Sequence, residues 1–187
     1  MASDPAPDEL ALVEAFVNTW NADAGTEAVP GPVELRDWLV EQDLLDGGAR
    51  ATAAEHGQAI EVREALRALL LQNAGHEVGP DAAAVLDAAA RRAKLTVRFG
   101  AGGVVRTEPE ARGVAGALGR LLAVVAAAQD DGTWIRLKAC LADDCQWAYY
   151  DRSRNRSAVW CDMRVCGNRQ KVRSYRERHH RPPALHG

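Results

Sequence analysis

The chain has 187 residues, 47% of them apolar and only 5% aromatic, with a net charge of −3. That suffices for a core of close-packed, alanine-rich helices plus one small module. The acidic stretch Met1 to Glu9 lacks the apolar segment of a signal peptide, and the longest apolar run, Leu121 to Ala128, is far below the roughly 18 residues that span a bilayer. A soluble, cytoplasmic protein with no membrane partner is expected.

Residues 8 to 22 place Val13, Phe16, Val17 and Trp20 on one helical face. Asn21 to Thr26 break the pattern. Pro30-Gly31-Pro32 turns the chain, and Pro32 can open a second helix with Leu35, Trp38 and Leu39 on one side and a stop at Gly47-Gly48. Thr52 and Glu55 fit a capping box for a long helix to about Asn73, buried along Val62, Leu66, Leu69 and Leu70. After Gly79-Pro80 an alanine-rich helix runs to about Lys94. The period then changes. Leu95, Val97 and Phe99 alternate with Thr96 and Arg98, which predicts a half-buried strand; Gly100 to Gly103 supplies a turn and Val104 to Thr107 the return strand.

Ala111 to Asp130 is helical again, with Val114, Leu118, Leu121, Leu122 and Val125 on one face. Gly113, Gly116 and Gly119 recur along it, each costing about 1 kcal/mol relative to alanine, so close backbone packing is the expected compensation. Trp134 to Lys138 reads as a strand entering the last segment.

That segment, Arg136 to Arg178, holds all four cysteines: Cys140, Cys145, Cys161 and Cys166. Four residues lie within each pair and fifteen between the pairs, a spacing that lets four thiolates close a tetrahedron around one zinc ion. Two disulfides would suit the same count in a secreted chain; in a reducing cytosol, clustered cysteines are more often metal ligands. A site closed by four protein ligands leaves no position for water, so the zinc is structural. No nucleophile motif, phosphate loop or dinucleotide fingerprint occurs, and no enzyme is expected.

Charge is divided along the chain. Residues 136 to 187 carry twelve Lys/Arg and five Asp/Glu, a balance of +7, against −10 for residues 1 to 135. Zinc with four thiolates would lower the tail to +5. Such a split suggests a polyanion-binding tail on a domain of another kind. Ten of the twelve basic residues are arginine, whose planar fork suits phosphate and guanine. The candidates for nucleic-acid contact are Arg152, Arg154, Asn155 and Arg156 between the cysteine pairs, with Arg169, Lys171, Arg173, Arg176 and Arg178 on a final basic helix where Val172 and Tyr175 face inward. The plainer reading has some arginines, Arg169 first among them, merely offsetting the tetrathiolate. Trp147, Tyr149, Tyr150 and Trp160 are either the module's small core or stacking platforms. Asp143 and Asp144 are expected to face away from a polyanion.

Tyr150 to Ser157, Trp160-Cys161-Asp162-Met163 and Cys166-Gly167-Asn168-Arg169 closely resemble the CGNR zinc finger family, over roughly Leu137 to Arg178. Phe16 to Thr19 and Leu35 to Leu39 are similar to the ABATE domain that commonly precedes that finger. The resemblance implies zinc on the four cysteines, DNA as partner, and a bacterial, stress-induced transcription regulator. Ala158 and Val159 depart from it, standing where members often have a further basic residue. The regulator role invites a small-molecule effector, with Asn18 and Arg63 as ligand-binding candidates; the alternative is that Asn18 caps or bridges helices and that Arg63 and Arg67 are salt-bridged or solvated.

The expected fold is α+β and predominantly helical: a disordered N-terminus (1–7), a helical ABATE-like domain with a small β-hairpin (8–135), a zinc finger of two cysteine knuckles and a basic helix (136–180), and a disordered tail (181–187). The expected function is zinc-dependent DNA binding in transcription regulation, nucleoid-associated when bound, the N-terminal domain serving ligand sensing or homodimerisation. RNA binding, or a structural zinc module for protein contacts, is the alternative.

Overall fold

The computed structural model describes residues 6–7, 9–77 and 79–179, except the side chains of Ser174 and residues 177–179. The expectations of disorder for 1–5 and 181–187 lie outside these residues. Ala6 is buried, its N–H donating to Glu14 Oε2 at 2.6 Å.

Six helices and three two-stranded antiparallel sheets make up the described fold, which is α+β and mainly helical. Helix α1 (Leu10–Val17) buries Val13, Phe16 and Val17. It ends earlier than its apolar pattern suggests, because Trp20–Asn21 (β1) leaves the helix to pair with Thr26–Glu27 (β2) around Gly25 at φ +63. Pro32 opens α2 (Pro32–Glu41), which buries Leu35 and Leu39 and sets Trp38 against Phe16 at 5.5 Å between ring centroids. This helix stops before Gly47, at Glu41.

Helix α3 (Ala53–Asn73) is the central element. The capping box at its start is complete in both directions: Glu55 N–H to Thr52 Oγ1 and Thr52 N–H to Glu55 Oε2. Val62, Leu66 and Leu70 are buried on it, together with Arg63 and Arg67. Helix α4 (Asp81–Ala93) closes on Lys94 in the left-handed region. The hairpin follows as β3 (Leu95–Phe99) and β4 (Val105–Pro109), with Val97 opposite Thr107. Its expected half-burial holds only at the base: Val97 and Phe99 are 53% and 80% exposed, because the hairpin extends past the helices.

Helix α5 (Gly113–Asp130) buries Val114, Leu118, Leu121, Leu122 and Val125. It is the one described helix long and apolar enough to cross a membrane, and half of it is buried inside the fold. Two of its glycines are required by close approach. A Cβ on Gly116 would strike the Ala111 carbonyl, and one on Gly119 would lie 2.6 Å from Ala93 Cβ and 2.8 Å from Pro109 Cβ. Gly113 has open space and instead takes φ +67.

Trp134–Arg136 form a single 3-10 turn, so the expected strand begins only at β5 (Leu137–Ala139), which pairs with β6 (Ala148–Tyr150). Leu137, Ala139 and Ala148 belong to the same core as α1, α3 and α5. A smaller cluster of Cys140, Ala142, Cys145, Tyr149 and Cys166 lies beyond that sheet, with Trp147 and Trp160 packed on it. Helix α6 (Asn168–His179) ends the described chain.

Candidate metal centre and nucleic-acid interface

The first knuckle follows β5 directly. Cys140 N–H bonds the Trp147 carbonyl at 3.0 Å, and Cys145 and Gln146 N–H both donate to the Ala142 carbonyl, which folds the chain back at Gln146 with φ +50. The second knuckle is capped by Asp162, whose Oδ1 accepts from Arg164 and Val165 N–H at 2.7 and 3.3 Å. A π-type turn over Met163–Gly167 then delivers Cys166 just ahead of α6 rather than within its first turn. Gly167 has no room for a side chain, since a Cβ would meet the Met163 thioether and the Trp160 ring. The metal knuckle is thereby packed directly against the start of α6.

The four sulfurs lie within 4.8 Å of one another, with Cys145–Cys161 at 3.6 Å and Cys161–Cys166 at 3.7 Å. Zinc–sulfur bonds of about 2.3 Å in a tetrahedron put sulfurs about 3.8 Å apart; disulfide sulfurs would sit about 2.05 Å apart. The geometry therefore fits zinc. The charge argument agrees. Cys140 is pulled down to about 2 by S–H donation from Cys145 and Cys161, aided by the N–H groups of Ala142 and Cys161. Donating to that thiolate pushes Cys145 up to about 12 and Cys161 higher still. A dication among the sulfurs would favour the thiolate form of its ligands. The four cysteines hold one structural zinc ion.

Arg169 stands outside this centre. Its Nη2 donates to Cys166 Sγ at 3.3 Å, and its Nη1 reaches Asp23 at 2.6 Å and Asp144 at 3.6 Å. Asp23, in the β1–β2 turn, raises the Arg169 pKa most, followed by Cys166. Arg169 thus supports a ligand sulfur while its side chain stays 38% exposed. Asp143 and Asp144 turn toward α6, contrary to expectation: Asp143 lies 3.9 Å from Arg173. Opposite charges on the knuckle and on α6 attract across this short gap.

The remaining basic candidates lie at the surface. Arg152, Arg154, Asn155 and Arg156 are exposed on the loop after β6, and Lys171, Arg173 and Arg176 on α6; the Arg178 side chain lies outside the described residues. Val172 and Tyr175 do not pack inward as expected, at 49% and 57% exposed. Tyr149 is buried with its hydroxyl on the Ala158 carbonyl, so it is core; Tyr150 carries the Arg152 guanidinium at 5.4 Å from its ring centre.

The loop is closed at its neck by two residues that the sequence does not single out. Lys138 Nζ donates to Asp151 Oδ2 (2.8 Å) and to the carbonyls of Arg156 (2.6 Å) and Ala158 (3.0 Å). Asp151 also accepts the N–H groups of Ser153 and Ala158, and Arg136 binds the carbonyls of Asp151 and Ser153. Nothing local marks this clamp; its partners come together only when β5 and β6 pair.

The two ligand-binding candidates make internal bonds. Asn18 pairs with the Ala148 backbone, Nδ2 to O at 2.9 Å and N–H to Oδ1 at 2.8 Å, extending the sheet of the zinc module onto α1. Arg63 is 4% exposed and bonds Glu27, Glu64 and Thr19. Arg67 ties the same parts together, from Val17 to Gln146.

Compared with known families, residues 10–130 match ABATE, "Putative stress-induced transcription regulator", and residues 136–179 match the CGNR zinc finger. Among curated proteins none matches the chain.

Proposed function

The chain belongs to the ABATE family and ends in a CGNR zinc finger, and from that premise we propose that it is a DNA-binding transcription regulator acting in the cytoplasm, at the nucleoid when bound. One observation carries the reading: a closed four-cysteine centre fixes the start of a helix that exposes Lys171, Arg173 and Arg176. The clamped loop adds Arg152, Arg154 and Arg156 in a second exposed set. Both sets keep guanidinium forks on backbone that zinc or a buried ion pair holds still, which lowers the ordering cost of phosphate contact.

The zinc performs no chemistry in this reading, and the protein is not an enzyme. RNA recognition by base stacking has less support, since Tyr149 is buried. The helical domain serves dimerisation or signal input.

The test is a salt titration of the zinc-loaded protein against duplex DNA, single-stranded DNA and structured RNA. About five phosphate contacts give a log–log slope near −4 to −5. Duplex preference, lost in the Arg173→Ala/Arg176→Ala double variant, supports the reading. Absence of duplex binding by protein that retains its zinc sinks it.

A further inference from the structure

The β3–β4 hairpin leaves contacts that the described residues do not make. It is a sheet of two strands, and isolated two-stranded hairpins are marginal in water. On one face Val97, Phe99 and Val105 are 53%, 80% and 56% exposed, while Leu95 and Pro109 at the base rest on α5 at Gly119. On the other face Arg98 lies directly opposite Arg106, a like-charge pair that destabilises a sheet. Glu110 takes Arg98 at 2.9 Å, and among the described residues Arg106 and Glu108 form no ion pair.

The backbone is unsatisfied in the same place. Gly100 N–H bonds the Val104 carbonyl, so by the alternation of strands the N–H and C=O of Val105 and Thr107 point away from β3. Among the described residues no third strand covers that edge.

We propose that β4 is a dimerisation edge: two copies of this chain pair β4 with β4, antiparallel about Thr107, into one four-stranded sheet. The strand Val105-Arg106-Thr107-Glu108-Pro109 is chemically self-complementary in that register. Thr107 faces its own copy, Arg106 faces Glu108 twice, and Val105 faces Pro109 twice. An isologous contact requires this reciprocity. Pairing about Arg106 or Glu108 instead would oppose like charges. Thr107 exchanges both backbone bonds with its copy, Val105 N–H donates to the facing Pro109 carbonyl, and Pro109, lacking an N–H, ends the ladder.

The apolar face is completed at the same time. Phe99 and Val105 at one tip continue across the joint into Pro109 and Leu95 of the other copy, which rest on α5. The exposed tip of each hairpin thus lies beside the covered base of the other. This pairing uses no residue of the finger and does not rest on the DNA-binding reading.

The experiment is the mass of the full-length, zinc-loaded protein in solution without nucleic acid, by light scattering and sedimentation equilibrium. Twice the 20.2 kDa chain mass is expected. Arg106→Glu or Glu108→Arg alone sets like charges across the joint and weakens self-association about tenfold or more. Mixing those two variants restores a dimer, because each edge then supplies what the other lacks, and the Arg106→Glu/Glu108→Arg double swap restores a homodimer. Zinc content and circular dichroism of each variant confirm that it folds. A monomeric wild type, a dimer indifferent to both single changes, or single variants that stay apart on mixing would each overturn the proposal.

Discussion

Lys138 and Asp151 meet at 2.8 Å, their side chains 3% and 1% exposed, at the neck of the loop that carries Arg152, Arg154 and Arg156. Buried ion pairs repay desolvation only when their remaining bonding capacity is used. Here it is: Lys138 also serves two loop carbonyls and Asp151 two loop N–H groups. The pair therefore fixes a basic loop that has no regular secondary structure of its own.

Lys138→Met leaves Asp151 charged, buried and unpaired, and is expected to cost about 3–5 kcal/mol, read as a drop in the denaturant midpoint. Asp151 also predicts the pH dependence. Burial alone would push its carboxyl up, but the Lys138 ammonium and the Ser153 hydroxyl and N–H hold it below the usual carboxylate value. A depressed folded pKa gives stability that is complete above the unfolded value, about 3.9, and is lost as the pH falls through the folded one. The stability gap between wild type and Asp151→Asn should hold at neutral pH and narrow below about pH 5. A gap that widens in acid would contradict this account.

Most helices and the zinc ligands were legible because their signals are local. The Thr52–Glu55 box and Pro32 at a helix start involve residues a few positions apart, and the cysteines announce themselves as two pairs with four residues inside each. The misjudged features depend on what lies beyond the element. Val97 and Phe99 have the alternation of a half-buried strand, but whether anything covers them depends on how far the hairpin runs past α5. Val172 and Tyr175 share a helical face, yet that face stays about half exposed because the core of the finger lies elsewhere. For Asn18, Arg63 and Arg67 the reading of bridging and ion pairing agrees with the structure, but the partners themselves were not legible, since they include residues 130, 36 and 79 positions away. Lys138 and Asp151 gave no signal because a lysine and an aspartate thirteen residues apart are unremarkable until two strands pair.

Asn18 joins the two matched regions by acting as a substitute strand residue, giving Ala148 both a donor and an acceptor. Asn18→Ala is expected to cost about 1–3 kcal/mol, the penalty of two partly buried backbone groups left unpaired. Asn18→Asp should cost more, since its carboxylate would face the Ala148 carbonyl. Thermal melts of the zinc-loaded variants check the order; equal effects would mean that side-chain packing, and not bonding, matters there.

Gly119 separates the steric account of α5 from helix propensity. On propensity alone, Gly119→Ala would stabilise the helix by about 1 kcal/mol. Contacts of 2.6 and 2.8 Å to Ala93 and Pro109 reverse the sign, and a loss of about 1–3 kcal/mol is expected from overpacking. Gly57, in α3 with nothing near its missing Cβ, is the control, and Gly57→Ala should be stabilising. A Gly119→Ala protein more stable than wild type would show that α4 and β4 can move apart.

Arg169 makes the last prediction, because its geometry gives it two distinguishable roles. Nη2 supports the Cys166 sulfur at 3.3 Å, and Nη1 ties the finger to Asp23 at 2.6 Å. Removing an outer group that hydrogen-bonds a metal ligand weakens metal affinity about tenfold to a hundredfold, so Arg169→Ala should release zinc to a competing chelator by that factor more readily. Asp23→Asn leaves the bond to sulfur in place and should have the smaller effect. Arg169→Lys keeps the charge but loses the fork that serves both partners, and should resemble Arg169→Ala. In DNA titrations under saturating zinc, Arg169→Ala should keep the wild-type salt slope, whereas Arg176→Ala should flatten it by about one unit. If both variants flatten it equally, Arg169 must leave Cys166 and Asp23 on binding, and the polyanion then competes for the arginine that holds the metal centre to the helical domain.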